Sequence, residues 1–173
     1  MVGGGSGSGG GLSAELYAPA AGSFAATGSA TVAGQGHRAT LLKNVTVLVA
    51  GGINMNSAAF PNEKRTEPYD PNIGIFTPTG SMTTMRGDPA VTLLSDGRVL
   101  VAGGRYDTSA ELYHPGSDTF TVTGSMTVQR VHPTRDPRPG VVGRGARCVG
   151  ASAVRKPDVL NRWPNGHFAV AIR

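Results

Sequence analysis

The sequence predicts an all-β fold, a partial β-propeller of about two to two and a half four-stranded blades. Two observations predict it. The string VLVAGG stands at Val47 to Gly52 and again at Val99 to Gly104. Around it, short apolar runs bounded by turn residues return in one register. Self-similarity at a period of tens of residues marks modules that bury their faces against one another. With Glu15 set on Glu67, Tyr17 meets Tyr69, Phe24 meets Phe76, and Gly28-Ser29 meets Gly80-Ser81. Thr40-Leu41-Leu42 then meets Thr92-Leu93-Leu94 without a gap. A third copy starts at Glu111 and carries Tyr113, Phe120, Gly124-Ser125-Met126 and Arg130 in the same places. Ser13 to Tyr17 and Ser109 to Tyr113 both spell SAELY.

Each unit reads as four strands. Ala90 to Leu94 is the first apolar run and Val99 to Ala102 the second, too short for helices and flanked by turn chemistry. Between them lies SDGR, and Asp-Gly between apolar runs is a hairpin signal. The earlier copy has Lys43-Asn44-Val45 there, a weaker turn in which Asn tolerates a left-handed backbone. Gly103-Gly104 ends the second strand where unusual dihedrals or a close neighbour are expected. Ala110 to Tyr113 is the third strand, HPGSD a turn, and Thr119 to Val122 the fourth. One such sheet cannot bury both faces alone. Tyr17, Tyr69, Tyr113, Phe24, Phe76 and Phe120, recurring once per unit, are therefore read as packing residues between blades rather than as a ligand platform.

These residues resemble kelch-type repeats in the form also found in the central propeller of galactose oxidase. The shared pattern is an apolar strand, paired glycines, a Tyr, and an aromatic residue seven positions after it. It appears as Gly103-Gly104, Tyr113, Phe120 and partly as Gly51-Gly52, Tyr69, Phe76. The first unit keeps only the Tyr17 to Phe24 half, and Phe stands where the family usually has Trp. Eight extra residues between Gly52 and Glu67 resemble a lengthened loop. The likeness covers Leu12 to Pro133. It implies a β-propeller used mainly as an interaction scaffold. Oxidase activity in that family needs copper held by His and Tyr, with a Tyr cross-linked to a Cys. The single cysteine, Cys148, lies outside the repeats, and His37, His114, His132 and His167 show no metal-ligand spacing. The sequence therefore assigns no catalytic, cofactor-binding or metal-binding residues and no cofactor, and the chain reads as non-enzymatic.

Three segments follow: a flexible Gly/Ser-rich linker over residues 1–11, kelch-like blades over 12–133, and a basic, irregular tail over 134–173. After Pro133 the expected first strand is replaced by an Arg-, Pro- and Gly-rich stretch. Residues 130–173 carry nine Lys or Arg against two Asp or Glu, and residues 1–129 carry seven against nine, so a body near −2 bears a tail near +7. One reading is contact with nucleic acid or an acidic membrane surface. Trp163 and Phe168 are too few aromatics to favour nucleic acid. The other reading is a frameshift. Codons for Thr134-Arg135-Asp136-Pro137, read one base later, permit His-Ala-Thr-Leu, matching Ala39-Thr40-Leu41 of the first unit.

The first residues lack a signal peptide's charged start and apolar stretch, and no run reaches the length of a membrane span. Compartment is left open; a cell-surface or extracellular site would suit a longer secreted chain. One Cys allows no internal disulfide. RGD at Arg86 to Asp88 is read as part of the repeat, because Arg86 aligns with Arg130. NVT at Asn44 to Thr46 is a glycosylation acceptor pattern on an exposed turn. The expected function is a non-catalytic scaffold that presents inter-strand loops, Ile53 to Thr66 and Arg105 to Ser109, to a protein or carbohydrate partner. The alternatives are a truncated or frameshifted propeller fragment without independent function, or a remnant of a galactose-oxidase-like enzyme. Open ends would expose strand edges, so further blades or self-association are expected to cover them.

Overall fold

The structure, a computed structural model, describes residues 12–31, 35–54, 63–130 and the backbone of 169–172. The Gly-rich lead, most of the Ile53 to Thr66 loop, and the tail between Val131 and Phe168 lie outside the described residues. Every regular element among the described residues is a strand. β1 (Ala14–Ala18) and β2 (Ser23–Ala26) form the first hairpin. β3 (Arg38–Leu41), β4 (Val47–Ala50), β5 (Thr66–Asp70) and β6 (Ile75–Phe76) make one antiparallel sheet in sequential order. β7 (Ala90–Leu93), β8 (Val99–Ala102), β9 (Ala110–His114) and β10 (Thr119–Thr123) make the next. These are blades of a partial β-propeller, as the repeat predicts. No helix among the described residues is long and apolar enough to cross a membrane.

One strand departs from the irregular tail that the sequence predicts. β11 (Ala169–Ile172) pairs antiparallel with β1 and gives the first sheet the order β11-β1-β2. Its register copies the other blades. Tyr17 faces Ala169 as Tyr69 faces Val47 and Tyr113 faces Val99. The edge of β1 presents a row of backbone groups with no VLVA strand of its own, and the short apolar AVAI segment supplies the missing ladder. Basic composition around those four residues hides the strand from a composition-based reading.

The core forms between neighbouring sheets. Tyr69 and Phe76 of the second blade pack with Ala14 and Ala30, against partly buried Leu16 of the first. Leu42 and Leu48 of the second blade pack with Val99, Val101 and Tyr113 of the third. The aromatic pairs also meet within each blade, at ring-centroid distances of 4.9, 4.7 and 5.0 Å for Tyr17–Phe24, Tyr69–Phe76 and Tyr113–Phe120. Only the second and third blades bury their tyrosines fully; Phe24 is half-exposed because no sheet covers that side among the described residues.

Two local details depart from the repeat. In the β3–β4 turn the left-handed residue is Val45 at φ 68°, rather than Asn44, whose side-chain oxygen instead accepts from the Thr46 amide and hydroxyl. β6 pairs over two residues where β10 pairs over five. Pro68 stands where the third blade has Leu112 and cannot donate to the outer strand, so Thr77 donates to its carbonyl and the ladder stops there. Gly51-Gly52 and Gly103-Gly104 all take positive φ, as expected for strand ends that bring backbone close to backbone.

Candidate binding surface

One end of the blades gathers the segments that follow the paired glycines. Gln35 bridges Ile53, the Asp88 amide donates to Gly36, and the Arg105 amide donates to Gly87 at 2.8 Å. The hairpin turns lie at the opposite end, where the Lys43 ammonium reaches the Ser95 carbonyl at 2.6 Å. The sequence-predicted loop Arg105 to Ser109 therefore sits beside the base of the predicted loop Ile53 to Thr66. Residues 55–62 of the latter lie outside the described residues. Its base is held by Glu63, whose amide donates to Gly52, and by Lys64, whose carbonyl accepts from Met82.

Beneath this end lies the densest polar cluster among the described residues. Arg86 is fully buried. Its Nη1 donates to the Gly103 carbonyl, to Asp107 Oδ2 at 2.7 Å and to the Ser109 carbonyl. Its Nη2 donates to Ser109 Oγ and to Glu111 Oε1 at 2.9 Å. Glu111 also accepts the amides of Thr83 and Thr84. Burial works to raise the Glu111 and Asp107 carboxyls. Hydrogen bonds from Thr83 and Thr84 at Glu111 and from Ser109 at Asp107, with Arg86 beside both, outweigh it and hold both below the ordinary carboxylate range. Arg86 Nε is buried without a hydrogen-bond partner.

The cluster fixes the loop above it. Asp107 accepts from the Ser109 amide and hydroxyl as well as from Arg86, leaving Tyr106 to project. Tyr106 is 81% exposed and sits at φ 64°. Arg105 beside it is exposed on the same anchored loop. The repeat register places Arg86 in the sequence but does not by itself indicate its partners. A signal existed: Arg86 aligns with Arg130, and Glu111 with Glu67 and Glu15.

The same burial disposes of the RGD string, since Arg86 is inaccessible and Asp88 is 6% exposed. Asn44, in contrast, sits on an exposed turn, as the acceptor pattern requires. The described residues do not fit a copper centre. No group of three or more His, Cys, Asp or Glu among them could hold a metal ion. His37 precedes β3, while His114 ends β9 and pairs with Thr121 at 2.8 Å. His132, His167 and Cys148 lie outside the described residues.

No family model matches the chain, and no curated protein matches it. Among solved structures it is similar to a fungal alcohol oxidase of the AA5 family, solved in complex with copper. The TM-score is 0.56 at 19% identity, over 65% of this chain and 27% of that one. The chain thus spans about a quarter of that neighbour's length. The likeness is one of fold.

Proposed function

We propose that the chain is a kelch-type, non-catalytic scaffold that presents the loop end of its blades to a protein partner. The observation that carries this reading is Tyr106, held out beside Arg105 on a loop whose base is fixed by the buried Arg86–Asp107–Glu111 cluster. An anchored aromatic loses little conformational freedom on binding, so its contact area converts efficiently into affinity. The strands themselves are occupied in blade packing. A photo-crosslinking side chain placed at Tyr106 is expected to capture a partner that the same group at Val45, at the opposite end, does not. Arg105→Ala is expected to weaken that capture by about tenfold. Equal capture from both ends would end the reading.

A second reading, a remnant of a galactose-oxidase-like enzyme, draws on the fold likeness to the copper-containing alcohol oxidase. It requires ligands from outside the described residues. Copper uptake together with alcohol oxidation by the purified chain would favour it over the scaffold.

A further inference from the structure

The two junctions between blades use one set of contacts. At the first, the Thr27 hydroxyl meets the Tyr69 hydroxyl at 2.7 Å, the Gly28 amide donates to the Gly74 carbonyl, and the Thr31 amide donates to Glu67. At the second, the Thr79 hydroxyl meets Tyr113, Gly80 lies against the Asp118 carbonyl, and Thr83 and Arg86 bind Glu111. Gly28 and Thr31 at the first junction, and Thr83 and Arg86 at the second, donate from the crossover segment to the next blade. The crossover at the second junction reads TGSMTTMR over Thr79 to Arg86, and the acceptor strand reads SAELY over Ser109 to Tyr113.

Both halves recur at the two outer faces of the chain. Thr123 to Arg130 reads TGSMTVQR, and Ser13 to Tyr17 reads SAELY. Among the described residues the third crossover has no following blade to dock on. An added Cβ at Gly124 would meet no atom within 4 Å, whereas at Gly28 and Gly80 it would run into the facing carbonyl oxygen. Val122 and Val128 beside it are 66% and 56% exposed. The Arg130 side chain has no hydrogen-bond or ion-pair partner among the described residues. Among the described residues Tyr17 likewise lacks the hydroxyl partner that Tyr69 and Tyr113 have. Glu15 already has a partner within the chain, yet Glu111 shows that this carboxylate position serves several donors at once.

We propose that the outer face formed by Thr123, Gly124, Thr127 and Arg130 docks on the Ser13 to Tyr17 strand of a second copy of this chain, head to tail. Each such contact is heterologous, and two of them close a ring when the rotation fits. The described residues form three sheets, propeller rings hold about four to eight blades, and two copies together supply six. The proposal concerns the lateral blade faces, so it stands or falls apart from what the loop end binds.

The test is the mass of the full chain in solution, by size exclusion with light scattering. Wild type is expected at twice 17.7 kDa. Gly124→Val, which finds open space in the single chain, is expected to keep the circular dichroism spectrum and weaken association by about a hundredfold. Arg130→Glu and Glu15→Arg are each expected to be single-copy alone and to pair when mixed, because each substituted face then meets its opposite charge. Should Glu15→Arg not fold, the Gly124→Val comparison decides alone. A single-copy wild type at concentrations on the order of 100 µM, an undiminished two-copy mass for Gly124→Val, or masses running beyond two copies would each overturn the proposal.

Discussion

Arg86 distributes five hydrogen bonds over two carboxylates, two backbone carbonyls and a hydroxyl, and its side chain is closed off from the surface. Removing the cation would strand Glu111 as a buried, uncompensated charge and take from the partly exposed Asp107 its charged partner. Arg86→Ala is expected to cost roughly 3–5 kcal/mol, read as a fall in the urea midpoint. Arg86→Lys should recover little, because one ammonium cannot span acceptors that a planar fork reaches together. Tyr113 sets a second residue-scale expectation. Burial, with the negative Asp118 beside it, pushes its hydroxyl up to about 12 from 10.0. The folded chain thus keeps a proton that the unfolded chain gives up near 10. The contribution is present in full below pH 10 and is lost as pH climbs towards 12. Tyr113→Phe should flatten that alkaline decline in melting temperature, and an unchanged slope would place the titration elsewhere.

At the scale of elements, alternation and turn chemistry carried most of the information. β8 runs over Val99–Ala102 as its apolar run predicts, and Asp96-Gly97 makes the expected hairpin, with Gly97 at φ 95°. What escaped the sequence were places where one residue overrides its repeat position. Pro68 shortens β6 through a missing amide, an effect that depends on which side of β5 faces the outer strand. Val45 takes the left-handed place that Gly97 fills in the next blade, although a branched β-carbon is disfavoured there. The Asx-type bonds of Asn44 hold the turn in that shape regardless. Val45→Gly is therefore expected to stabilise the chain by about 1 kcal/mol, less whatever the added freedom of glycine in the unfolded chain takes back. A rise of a few degrees in melting temperature checks it; no change or a fall would mean that the valine side chain is better packed than its exposure suggests.

Across the whole molecule, the repeat made the blades and their neighbour packing legible, because register is a property of sequence. The buried Arg86 cluster was half legible: its positions align, but charge alone does not say that a cation will be enclosed. β11 was not legible. AVAI is four residues within a basic segment, and its pairing partner lies at the other end of the chain, so no local pattern announces it. Its consequences are measurable because the blades differ in how their edges are held. β4 reaches β5 across residues 51–65 and β8 reaches β9 across 103–109, whereas β11 reaches β1 across 19–168, and long closure costs more entropy than local closure. The first sheet should therefore open more readily than the third, which also contains the Arg86 acceptors. Deleting residues 169–173 is expected to speed amide exchange across Ala14 to Ala18 by at least about tenfold while leaving Ala110 to His114 unchanged. Equal effects on both strands would show that the blades open as one cooperative unit. No effect on either would show that β1 draws its protection from the β2 side and from packing on Tyr69.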